Sequence, residues 1–237
     1  MAQSTESAAL AASLRQTMAD LIAARRTDPV LAETRKSLRA FQNRRFARTY
    51  ADLARDPRYQ GAIAFFLYEL YGDVDMTARD ADVLRILPVM TRMLPDAALQ
   101  TIRDALAFEA LSERLDAELA RRLGNQMVDE TSYAAAFVAG GQRDLRERQM
   151  AYVGEIGRAL DRMTRWPMIK TSLKVMRAPA RAAGLKTLQE FLESGYDAFA
   201  KMRGADAFLA TIARRESAII ERLFAGHPRP FDLEERT

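Results

Sequence analysis

One stretch constrains the fold of this chain more than any other. It is Phe65-Phe66-Leu67-Tyr68-Glu69-Leu70-Tyr71-Gly72, the end of a run that is apolar or aromatic at almost every position from Gly61 to Gly72. Glu69 is the one charge in it. A helix that is apolar all round belongs in the middle of a fold, and a carboxylate on such a helix needs a partner. The run is too short to cross a membrane, and no stretch of about 18 apolar residues occurs elsewhere. A bundle packed around a central helix Pro57–Tyr71 is the expected arrangement.

The remaining pattern is helical as well. No segment shows a bounded Val/Ile/Thr-rich alternation of the kind strands carry, whereas helix start and stop signals recur. Asp28-Pro29 and Asp56-Pro57 read as N-caps with proline in the first turn. Pro95-Asp96 opens a helix that Gly124 closes, with Leu111, Leu115 and Leu119 as an i,i+4 ridge. Thr77 and Asp80 resemble a capping box. Pro88 is expected to kink or end its helix, and Pro179 to separate a helix ending near Arg177 from one spanning Ala180–Arg203. The expectation is an all-α compact bundle of about nine or ten helices. It forms a single domain over residues 1–237, with a weak point at Gly140-Gly141 and a loose tail over 226–237.

Composition removes several chemistries. Cysteine is absent and histidine occurs once, at His227. There is therefore no thiolate metal site, no Cys nucleophile and no placed Ser-His-Asp triad. The acidic cluster Asp73, Asp75, Asp80 and Asp82 fails the calcium-loop pattern: from Asp73, position six is Ala78 and position twelve is Leu84. No phosphate loop or dinucleotide fingerprint is present. Cysteine-free composition fits a reducing cytoplasm. Glu6, with no basic region ahead of Ala8–Leu14, argues against a secretory leader.

Charge is spread unevenly. Residues 143–186 carry eleven Lys/Arg against four Asp/Glu, and residues 61–142 carry seven against thirteen. The basic stretch could meet phosphates or an anionic membrane face, but a solvated surface is the simpler account of it. Nucleic acid is not expected, since no helix-turn-helix or zinc-finger pattern accompanies it.

Two carboxylates stand out on apolar faces. Glu69 lies in the run described above, and Glu216 falls on the stripe Leu209, Ile212, Ile219 and Leu223. Each reads either as half of a buried ion pair or as an acid with a raised pKa facing a ligand. Arg79 is the expected partner of a carboxylate such as Glu69, and Asp80 caps a helix. Aromatic residues including Phe66, Tyr71, Tyr196 and Phe199 fill a core or line an apolar pocket. Gly154, Gly157, Gly184 and Gly195, inside expected helices, point to close helix approach or room for a ligand.

The strings FFLYELYG, RDADVLRILP and MLP, followed by LKTLQEFLESGYDAFAKM and FLATIARRE, resemble an uncharacterised family of bacterial helical proteins. The shared arrangement is FFL-x-x-LYG…RDAD…LP over residues 65–95 and FLE-x-G…F…RE over 191–216. The resemblance implies a fold and a shared site, not a reaction.

The expected function is a non-catalytic cytoplasmic helical protein that binds an apolar small molecule or a protein partner. Its candidate ligand-binding residues are Phe66, Glu69, Tyr71, Arg79, Asp80, Tyr196, Phe199 and Glu216. No metal ligand set is expected, and the sequence does not identify a cofactor. One alternative is a carboxylate-based metal or enzymatic site around Glu69, Asp80 and Glu216. Another is a polyanion-binding module using the basic 143–186 face.

Overall fold

The structure, a computed structural model, describes residues 2–26, 29–70 and 76–233, with backbone alone at 2–7, 70, 77, 78, 93 and 167. Asp28, Tyr71, Asp73 and Asp75, and the Thr77 side-chain cap expected from sequence, lie outside what is described. Among the described residues the elements are all helical: α1 Ala2–Arg25, α2 Ala32–Thr49, α3 Ala51–Arg55, α4 Gln60–Phe65, α5 Met76–Met93, α6 Asp96–Leu123, α7 Glu130–Gly140, α8 Arg143–Thr164, α9 Pro167–Ala182, α10 Lys186–Met202 and α11 Asp206–Phe224. A 3-10 turn, Pro29–Leu31, leads into α2, and a π-helical turn, Phe66–Leu70, extends α4.

At 1.5 Å per residue, α6 is about 42 Å long, long enough to join two of the three cores. Leu99, Leu106 and Ala110 near its start pack with Leu14, Met18 and Leu21 of α1 and Leu87 of α5. Leu119 and Leu123 near its end pack with Leu38 and Phe41 of α2, Tyr133 and Phe137 of α7, and Ile219, Ile220 and Leu223 of α11. The third core gathers Phe46, Tyr50, Ile63, Phe199, Met202, Phe208 and Ile212. Gly157 lets α8 and α11 meet closely: a Cβ there would come within 3.0 Å of both methyl carbons of Leu209.

Helix ends follow local chemistry where the sequence signals them. Gly124 (φ 54°) and Gly141 (φ 61°) close α6 and α7 in the left-handed half of φ space, which suits glycine. Asp129 caps α7 in a reciprocal box, with the Ser132 N–H donating to Asp129 Oδ1 at 2.8 Å.

Several expectations are corrected. α4 starts at Gln60, not Pro57; Asp56 instead closes a turn over 56–60, its Oδ1 accepting from the Arg58 N–H at 2.8 Å and its carbonyl from the Gln60 N–H at 2.8 Å. The apolar run is not the centre of the fold. Ala62 and Ile63 are buried in the third core against residues of α2, α10 and α11, but Tyr68 is 71% exposed. Pro88 lies inside α5, so of kinking or ending its helix it does not end it, and Pro179 lies inside α9 rather than separating two helices. The carbonyls they orphan, of Leu84 and Val175, belong to exposed residues and are free to meet water. Gly184 (φ 70°) follows α9 instead of lying within a helix. The tail is not loose at Phe231, which is 4% exposed and packs its ring 6.0 Å from Phe41 and 5.8 Å from Tyr133. Arg222 secures the same segment by donating to the Asp232 carbonyl at 2.6 Å.

Candidate functional site: an internal cavity between charge networks

Two helix faces carry matching rows. On α2, Arg35, Arg39 and Gln42 fall at i, i+4 and i+7; on α6, Glu109, Glu113 and Asp116 do the same. Each spacing puts its three residues on one side of its helix. The rows meet: Arg35 and Arg39 both donate to Glu113, the latter at 2.7 Å, and Gln42 Nε2 donates to Asp116 Oδ1 at 2.9 Å.

Arg25, at the end of α1, extends the network. It reaches Asp80 at 2.6 Å, Glu109 at 2.6 Å and Glu113 at 3.0 Å. Arg79 pairs with Glu109 at 3.0 Å and lies 4.4 Å over the Phe191 ring. Buried ions are tolerated when paired in this way. Burial lifts the Asp80 carboxyl from 3.8 to about 6, against the pull of Arg25.

Beside this network lies a cavity of about 140 Å³. Phe46, Phe66, Phe108, Phe137, Val153 and Ile212 supply apolar wall; Arg39, Gln42, Arg45, Asp116, Arg146, Gln149 and Glu216 supply polar groups. Glu216 is held by Arg45 and by the Tyr50 hydroxyl, which donates to Oε1 at 2.8 Å. Burial drives the Asp116 carboxyl above its ordinary range, and Arg146 is the main charge opposing that rise.

Arg146 is itself 7% exposed. Its guanidinium stands 4.7 Å over the Phe137 ring and donates one long hydrogen bond, 3.4 Å, to Gln149 Oε1. Among the described residues no carboxylate forms an ion pair with it. Gln149 Nε2 in turn donates to Ser112 Oγ at 2.7 Å. Gln42 Oε1 is buried with no hydrogen-bond partner.

Of the residues singled out from sequence, Phe66 and Glu216 line this cavity together. Arg79 and Asp80 lie in the bordering ion network, so the expected Arg79–Glu69 pair is replaced by Arg79–Glu109. Glu69 is half-buried in the π-helical turn, away from the cavity wall, with no ion-pair partner among the described residues. Tyr196 donates to the Thr164 carbonyl at 3.4 Å, and Phe199 packs in the third core. Glu69, Asp80 and Glu216 therefore do not converge, and no group of three or more Asp, Glu or His among the described residues is placed to hold a metal.

Sequence reading missed Gln42, Asp116 and Arg146. The matched rows on α2 and α6 were a usable signal for the first two. Arg146 looked like one cation of a basic surface, and only packing shows that it turns inward.

A family model described as a domain of unknown function, DUF8198, matches residues 5–230. The chain belongs to that family. No curated protein and no solved structure matches it. The DUF8198 match takes in both motif regions, runs across Gly140-Gly141 and includes every cavity-lining residue except Phe231. No helix among the described residues is long and apolar enough to cross a membrane.

Proposed function

We propose that this protein is a non-catalytic cytoplasmic binding protein that takes a small, largely apolar molecule into the cavity beside the ion network. The observation that carries the reading is the cavity's composition. Aromatic and aliphatic walls face a few polar atoms left without full partners, the usual make-up of a ligand site. Its size is informative: a cavity near 150 Å³ holds something of roughly benzene's size. The carboxylates around it are engaged by arginines, Gln42 or Tyr50, which favours binding over acid–base chemistry. Native mass spectrometry of the protein purified under mild conditions tests this. A bound small molecule, released on denaturation, is the expected result; a uniformly ligand-free mass would overturn the reading.

A second reading rests on α9. Lys170, Lys174, Arg177 and Arg181 form one row along this helix, and no Asp or Glu occurs between Arg162 and Gln189. Beside the row, Met168 is 76% and Val175 66% exposed. A basic row flanked by exposed apolar side chains suits the interface of an anionic membrane. Sedimentation with phosphatidylserine vesicles but not with phosphatidylcholine vesicles is expected. Equal behaviour with both would remove this reading.

A further inference from the structure

The cavity's charge pattern narrows the class of molecule. The network and the cavity together contain six arginines (Arg25, Arg35, Arg39, Arg45, Arg79 and Arg146) and five carboxyl groups (Asp80, Glu109, Glu113, Asp116 and Glu216). Five of the arginines are in ion pairs with Asp80, Glu109, Glu113 or Glu216. The sixth, Arg146, is more than nine-tenths buried and has a ring face and one long hydrogen bond instead. Enclosing a guanidinium without a partner anion is costly, and this one lines an open volume.

We propose that the cavity binds a small monocarboxylic acid, with the ligand's carboxylate on Arg146 and its hydrocarbon body against Phe46, Phe66 and Ile212. The proposal rests on the small-molecule reading above and names its ligand class. Three features select that class. The planar guanidinium fork matches a carboxylate in a two-bond grip. Arg146, the one arginine of the six with no ion pair among the described residues, is the cation left to meet a ligand carboxylate. The volume, about 140 Å³, limits the body to a short branched chain or one ring. Gln42 Oε1, buried and unpartnered, adds an acceptor for a hydroxyl on the same molecule. Asp116 is the carboxyl group whose charge Arg146 favours most; its Oδ1 already accepts from Gln42, and burial pushes its pKa up.

The test uses the full chain at neutral pH, freed of any co-purified ligand. Butyrate and benzoate are titrated calorimetrically beside their neutral isosteres, butyramide and benzamide. The acids are expected to bind about tenfold or more tightly than the amides, the scale of a charge-assisted bond over a neutral one. Arg146→Gln should abolish that preference. Arg146→Lys, which keeps the charge and loses the fork, should retain part of it and serves if the glutamine variant does not fold. Amides binding as well as acids would overturn the carboxylate assignment and leave the small-molecule reading standing. An acid preference that survives in Arg146→Gln would overturn the role of Arg146. No binding by any of the four probes, with a ligand-free mass in native spectrometry, would overturn both the inference and the reading beneath it.

Discussion

The Tyr50 hydroxyl and the Arg45 guanidinium meet on one oxygen of Glu216, Oε1, with Tyr50 donating at 2.8 Å. All three side chains are inside the protein, and Tyr50 has no exposed surface. The arrangement fastens the end of α2 to α11 at the cavity wall. Removing the charge and removing the hydroxyl should therefore differ. Glu216→Gln takes away the carboxylate that Arg45 and Tyr50 share, at a cost of about 3–5 kcal/mol. Tyr50→Phe leaves the ion pair in place and should cost about 1–2 kcal/mol. Urea unfolding of both variants checks the ordering, and equal losses would contradict it.

Gly157 sits where α8 approaches α11. An alanine Cβ would press on both methyl carbons of Leu209 at 3.0 Å or less, and Leu209 is itself 5% exposed. Gly157→Ala is expected to lower stability by about 1–3 kcal/mol through overpacking, despite alanine's better helix propensity. Gly195→Ala, facing Phe65 at 3.3 Å, should be milder. Thermal unfolding of the two side by side decides it.

Phe231 closes the first core from beyond the last helix. Phe231→Ala should cost about 3–5 kcal/mol, far more than a terminal-tail position ordinarily would. Limited proteolysis should show early cleavage after Phe224 in the variant and protection in the parent protein.

Asp80 gives the stability a pH dependence of definite sign. Burial raises its folded-state value to about 6 from 3.8, with Glu109 adding to the rise and Arg25 and Arg79 opposing it. Between those limits the folded state holds more protons at this site than the unfolded one. Its contribution is thus complete below about pH 4 and is lost as pH rises through about 6. Asp80→Asn should flatten that part of the curve. Urea midpoints for both proteins between pH 4 and 7 measure the difference, and parallel curves would show that Asp80 is not its source.

Legibility followed the range of the interaction. Pro95-Asp96, Gly124, Gly141 and the ridge Leu111, Leu115 and Leu119 were readable because caps and helical periodicity act within a few residues. The inward face of Glu216 was readable for the same reason. Pro179 misled because its cost depends on whether the orphaned carbonyl meets water, which is a property of the surface. The aromatic run misled because apolarity promised burial on all sides, while packing on α2, α10 and α11 still leaves Tyr68 exposed.

The sequence by itself determined an all-helical chain, the ends of most of its helices and the exclusion of cysteine and histidine-triad chemistry. Those outcomes rest on local backbone preferences and on which functional groups exist. Tertiary structure alone decided which charge meets which. Arg35 finds Glu113 across 78 residues and Arg45 finds Glu216 across 171. It also left Arg146 without an ion-pair partner among the described residues. Helical period places a side chain on a face, but the group opposite it is set by how distant helices pack, and here that packing leaves one guanidinium beside a cavity.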